Sequence, residues 1–286
     1  MKKITVAIVL SLVMLLTVIG PASAVTDGTL DGNAHPMVVL ILMEVGGQPM
    51  YRCSGTMISP YLVLTAGHCT SNYPDGEYSG MRIFYDSDVQ AGMGGITNNY
   101  PLGGLNSIEA VEWATLDGFE SAPFFMNDVG IIVLAEPFYP GGGDGVYGKL
   151  PTAGQLDVYK TRRGISKVRF TSVGYGLQAS YPTQAMFLAS NVKTRYVAYP
   201  RLLQINTPGF TGNYSLLLSN NHATGGTCFG DSGGPNFLGS TKTIAGVTSF
   251  GINGNCAGTG GVFRLDKQRV IEFVQPYLDL YPVPVP

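Results

Sequence analysis

A chain of 286 residues and 30.4 kDa, 45% of it hydrophobic, can bury a real core as one large domain or two modest ones. Its charged fraction is only 13% and its formal net charge −2, with no basic patch, which argues against nucleic acid as a partner. The 39 glycines and 18 prolines punctuate short apolar runs, so the composition predicts many strands joined by tight turns, an all-β fold.

Residues 1–24 place Lys2 and Lys3 before an apolar run from Ile4 to Ile19, then Gly20-Pro21 and the small residues Ala22 and Ala24. That order predicts a signal peptide removed after Ala24 and a secreted, extracellular product. A permanent membrane anchor is the weaker reading, because the run falls short of the roughly 20 apolar residues that a bilayer span needs. Losing two lysines and no acid takes the formal charge from −2 to −4. Export also makes four cysteines read as two disulfides rather than as free thiols or a zinc site. Of three pairings, the chain suggests Cys53 with Cys69 and Cys228 with Cys256, each closing a moderate loop on its own half. There is no Cys-x-x-Cys, and three histidines are few for metal ligation.

Strand-like runs follow at Met37 to Val45, Tyr61 to Cys69 and Asp128 to Glu136. A proline- and glycine-rich passage from Pro137 to Pro151 reads as an interdomain connection, and strand signals resume at Lys167 to Gly176, Tyr214 to Ser219, Thr243 to Gly251 and Gly260 to Leu265. The expected organisation is a first β unit over 25–136, a connection over 137–166, a second β unit over 167–265, and a helix and tail over 266–286. Asp266 is the expected helix cap. Val270, Ile271, Phe273, Val274 and Leu278 recur at helical spacing, and the helix is expected to pack onto the second β unit.

Three residues could together do nucleophilic chemistry. A serine hydroxyl needs a base to take its proton, and that base must be oriented and made tolerant of positive charge. His68, in "LTAGHC", ends an apolar strand beside a cysteine that would fix its backbone, whereas His35 and His222 lie in polar surroundings and read as solvated. Asp128 opens "NDVGIIVL". Alone it could simply end a strand, but a partly buried carboxylate needs a partner, and an imidazole N–H would satisfy it. Ser232 stands in "GDSGGP", where flanking glycines permit a sharp turn that directs the N–H groups of Gly230 and Ser232 into one concavity fit for an oxyanion.

The elements "LTAGHC", "NDVGIIVL", "CFGDSGGP" and "SFG", in the order His, Asp, Ser, resemble the chymotrypsin or trypsin family of serine endopeptidases. The likeness runs from about Val25 to the final helix, with no matched motif over Tyr73 to Phe125 or Tyr181 to Asn220. It implies two six-stranded antiparallel β-barrels and peptide-bond hydrolysis through an acyl-enzyme. His68 would be general base and later general acid, Asp128 its orienting partner, Ser232 the nucleophile, and Ser249 a donor to Asp128. The pocket floor would lie six residues before Ser232, at Gly226. With no carboxylate there, a buried substrate cation would go unpaired, which argues against cleavage after arginine or lysine. The pocket wall would include Ser249, Phe250 and Gly251, with Phe229 at the rim. Gly251 and either Gly260 or Gly261 would leave bare walls, favouring an apolar or aromatic residue. Asp231 would receive the α-amino group of Val25, since "VTDG" resembles the family's mature start "IVGG". Signal cleavage would then activate the enzyme with no separate propeptide.

The rival class is a binding protein that keeps the fold without catalysis, although no triad member is missing. An esterase elbow would place its serine first, and here the histidine and aspartate precede it. No cofactor is expected. Asp75, Glu77, Asp86 and Asp88 would be the acids for a calcium ion, but solvated loop acids are the commoner explanation. Expected partners are protein or peptide substrates and protein inhibitors, with the chain acting as a monomer and without a stable membrane anchor.

Overall fold

The protein is described here by a computed structural model covering residues 25–71, 77–90, 100–123, 126–160, 167–180 and 193–284. The expected signal segment lies outside these residues. No helix among them is long and apolar enough to cross a membrane.

The apolar runs become strands that are buried on both faces. Val38–Val45 (β2, after the short β1 at Thr29–Leu30) hides its first six residues completely, because one face fills a barrel and the other meets a second sheet. β2 joins β3 (Gln48–Met57), β4 (Leu62–Thr65), β5 (Gly80–Phe84), β6 (Ser107–Thr115) and β7 (Gly130–Leu134) in a closed antiparallel barrel of order β2-β3-β4-β7-β6-β5. Closure comes from β5 pairing with β2, from Leu40↔Phe84 to Glu44↔Gly80.

The second unit holds β8 (Phe170–Gly174), β9 (Tyr196–Ala198), β10 (Leu202–Thr207), β11 (Gly212–Asn220), β12 (Pro235–Leu238), β13 (Ile244–Gly251) and β14 (Gly258–Arg264). Its eight-stranded order β1-β9-β8-β12-β13-β14-β11-β10 departs from the six strands expected. One reason is that the N-terminal segment crosses over, pairing Thr29 with Val197 and Leu30 with Tyr196. Among the described residues this sheet is a half-barrel open at β1 and β10. One apolar cluster runs through both units, from Val38 and Ile41 to Tyr175, Phe237 and Phe263. Two functional side chains carried by different sheets can therefore be held in fixed register.

The C-terminal helix α1 spans Gln268–Leu280, with Val270 and Val274 buried. Asp266 does not cap it: Lys267 occupies the N-cap position without a side-chain bond. The Asp266 carboxylate instead accepts the Leu156 N–H at 2.8 Å and pairs with the buried Arg264 at 2.7 Å. A buried guanidinium needs that partner more than a solvated helix end does. The helix also reaches past the second unit. Arg269 donates to the Asp117 carbonyl, Tyr277 to Glu112, and Tyr281 lies 5.5 Å from the Tyr61 ring.

Candidate active site

β4 pairs with β7 through Thr65↔Gly130, which sets the residues just after β4 against those just before β7. His68 stands in the 3-10 turn Gly67–Cys69, fixed by the Cys53–Cys69 disulfide to β3. Asp128 is fully buried and accepts from three donors, the His68 backbone N–H (2.9 Å), His68 Nδ1 (3.0 Å from each carboxylate oxygen) and Ser249 Oγ (2.5 Å). Burial disfavours the imidazolium, but the charge of Asp128 and its hydrogen bond outweigh that, so the His68 pKa is raised above its ordinary 6.5. The ring remains 31% exposed, open to a reactant on its far side.

The loop carrying Ser232 is shaped by backbone that only glycine tolerates. Gly233 has φ 76°, and a Cβ there would fall 1.9 Å from Thr65 Oγ1. Gly230 has φ 93°, turning its peptide so that its carbonyl accepts from Ser54 Oγ at 2.9 Å. Ser54 also gives its N–H to the Ser232 carbonyl at 2.8 Å, and its Oγ accepts the Tyr175 N–H at 3.0 Å. A β3 residue thus pins the Ser232 loop of the other unit onto the barrel that carries His68. Among the described residues no hydrogen bond joins Ser232 Oγ to His68. Such contacts tighten when a substrate enters.

Asp231 is fully buried and accepts the N–H groups of Gly176 (2.8 Å) and Cys228 (2.9 Å). Burial raises its pKa to about 7, against the pull of those two amides and of the Arg52 guanidinium. Val25 is also buried, packed with Tyr196 and Ala198. The next residue bridges to the loop before Ser232, Thr26↔Gly226, with Gly226 N–H donating to the Thr26 carbonyl at 3.0 Å.

A cavity of about 270 Å³ opens beside Ser232, between Thr227–Phe229 and Thr248–Gly251, with the Cys228–Cys256 disulfide at its edge. No acidic or basic side chain lines it among the described residues. Beside Gly226, the expected floor, the Asn220 side chain fills the space, its Cγ only 2.2 Å from where a Gly226 Cβ would sit. Gly261 does not leave a bare wall, because the Phe250 ring lies 2.3 Å from its Cβ position. Phe250 in turn meets Phe210 edge-on at 5.8 Å. Gly251 lines the cavity, and Phe229, 53% exposed, stands at its rim.

The family model for trypsin matches residues 28–270. The chain belongs to the trypsin family. Brachyurin from Leptuca pugilator is 28% identical over 215 residues, 72% of this chain and 79% of that protein. Among solved trypsin-fold structures, an HL collagenase superposes with TM-score 0.65 at 18% identity, covering 89% of this chain and 98% of that one. A mutant of human heparin binding protein gives 0.60 at 16% identity (91% and 99% covered), and a Glu endopeptidase 0.57 at 16% (85% and 90%). The family and the two disulfides are consistent with an extracellular setting.

For a trypsin-family chain, the remaining predicted residues divide clearly. His222 is solvated, as expected, and pairs with Asp27 at 2.7 Å. His35 is not: its ring is 22% exposed, bonds Asp31 and stacks on Phe237, because Asp31 needs partners in the interior. Of the acids considered for calcium, Asp75 lies outside the described residues, Asp86 accepts from the Asn106 amide, and Asp88 accepts the Gln90 N–H. The atoms of Cys53, His68 and Cys69 come within 4.8 Å of one another, but both sulfurs are in the disulfide and cannot act as thiolates. Sequence reasoning missed Ser54 and Asn220. Ser54 directly follows Cys53, which is the only local signal it offers, and Asn220 offers none.

Proposed function

We propose that this chain is a secreted serine endopeptidase whose triad is His68, Asp128 and Ser232. His68 Nε2 takes the Ser232 proton as the hydroxyl attacks the substrate carbonyl, then returns a proton to the leaving amine. Asp128, held by the His68 N–H groups and Ser249, fixes the tautomer and stabilises the imidazolium. The N–H groups of Gly230 and Ser232 bind the oxyanion. The observation that carries the reading is the fully buried Asp128 with every bond it accepts coming from His68 or Ser249, in a chain of the trypsin family. An uncharged pocket supports an apolar or aromatic residue before the scissile bond. A cut after Ala24 would free Val25 as an ammonium for Asp231, a reading supported by the burial of Val25 and the docking of Thr26 at Gly226.

Ser232→Ala is expected to abolish covalent labelling by a serine-directed phosphonate and to cost roughly 10⁶-fold in kcat, with the thermal transition preserved. Undiminished labelling would remove Ser232 from the mechanism. A binding protein without catalysis has nothing specific in its favour, since the sequence carries His68, Asp128 and Ser232 in the family's order.

A further inference from the structure

We propose that Asn220 is the specificity-determining residue of the primary pocket and that it selects tyrosine before the scissile bond. This rests on the peptidase reading above. The family position at the pocket floor is empty of side chain in this protein, because residue 226 is glycine. Asn220, at the end of β11 and 2% exposed, takes that volume from a different element: its Cγ, Oδ1 and Cβ lie 2.2, 2.3 and 2.6 Å from where a Gly226 Cβ would be. The same side chain lines the cavity. Gly226 is therefore a space for the Asn220 carboxamide to enter, and the floor is polar.

That carboxamide is oriented from both ends. Thr26 Oγ1 donates to Asn220 Oδ1 at 2.7 Å, and Asn220 Nδ2 donates to the Thr227 carbonyl at 2.7 Å. An amide offers two N–H donors and two lone pairs, so one of each remains for a guest. With no charged side chain on the lining, a cationic or anionic substrate residue would be buried unpaired, a cost of several kcal/mol. A small residue would leave much of about 270 Å³ unfilled. Phenylalanine fills the space but strands the remaining amide N–H and lone pair against a ring. A tyrosine hydroxyl, both donor and acceptor, satisfies them. The Thr26 bond also ties this floor to the segment that follows the expected cleavage site.

The test compares kcat/KM for matched tyrosine, phenylalanine and arginine peptide anilides, using the mature protein. The wild type is expected to prefer tyrosine over phenylalanine by about tenfold, the worth of one neutral hydrogen bond. Asn220→Leu should bring that ratio near one, and Thr26→Val, which frees the amide from one of its two anchors, should lower it part of the way. Asn220→Asp should raise the arginine to phenylalanine ratio at least about tenfold, a gain that misfolding cannot produce. A wild-type preference for phenylalanine, a ratio unmoved by Asn220→Leu, or no arginine gain in Asn220→Asp overturns the assignment. A wild type that is labelled by the phosphonate but shows these failures sinks the inference alone. One that neither cleaves nor labels sinks the peptidase reading and the inference with it.

Discussion

His68 shows how a single residue's environment sets its chemistry. Burial lowers its proton affinity and the Asp128 carboxylate raises it, and the net effect is upward. A general base works in its neutral form, so kcat/KM should rise with pH through a midpoint above 6.5. Asp128→Asn leaves only the lowering influence of burial, and it offers His68 Nδ1 an amide that can favour the wrong tautomer. The acid limb should then move to lower pH while kcat drops about 10⁴-fold, the loss known for this constellation. A pH–rate profile of both proteins checks this; an unshifted limb would detach Asp128 from the titration. The pairing of His68 with Asp128 was legible in the sequence because each sits in a contiguous motif. The placement of Asn220 beside the cavity was not, because it is set by Gly226 and Thr26, 6 and 194 positions away, meeting it only in the folded chain.

At the scale of elements, each disulfide holds a different part of the site. Cys53–Cys69 ties β3 to the turn that carries His68, and Cys228–Cys256 ties the Ser232 loop to the exposed segment after β13. With separations of 16 and 28 residues, removal of either pair should cost roughly 3 kcal/mol by the chain-entropy account. Their kinetic effects should differ. Cys53→Ala with Cys69→Ala loosens the base and should mainly lower kcat, whereas Cys228→Ala with Cys256→Ala loosens the pocket edge and should mainly raise KM. Denaturant titration and steady-state kinetics on the two double variants separate these outcomes, and identical kinetic signatures would refute the division. The strands themselves were readable from apolar runs: Met37 to Val45 became β2, and Asp128 to Glu136 became β7. Asp266 misled because local sequence shows a cap residue and hides the buried Arg264 guanidinium that claims it.

For the whole molecule, two buried aspartates bias stability in opposite directions with pH. Asp31 is desolvated, yet His35 and the buried Arg195, 2.9 Å away, hold its pKa below the ordinary 3.8. Its stabilisation is therefore present above that value and lost as pH falls through the lowered pKa. Asp231 has the reverse sign. Its pKa stands at about 7 in the fold and at the ordinary 3.8 when unfolded, so the fold favours the protonated form. That contribution is complete below about 3.8 and disappears as pH rises through about 7, a loss on the order of a few kcal/mol. In the chain retaining residues 1–24, position 25 contributes an amide and not an ammonium, so nothing there offsets the loss. Ser232→Ala protein retaining residues 1–24 should thus unfold at lower urea concentration at pH 8 than at pH 5. In the chain beginning at Val25, the new ammonium can pair with Asp231, and the decline should shrink until the amine itself deprotonates, ordinarily near 7.7 to 8.0 and later when paired. Urea midpoints for the two forms at both pH values decide the matter, with Asp231→Asn as the control that removes this contribution from each. If the two forms lose stability equally between pH 5 and 8, the buried carboxylate is not waiting for the Val25 amine, and the activation reading falls while the triad stands.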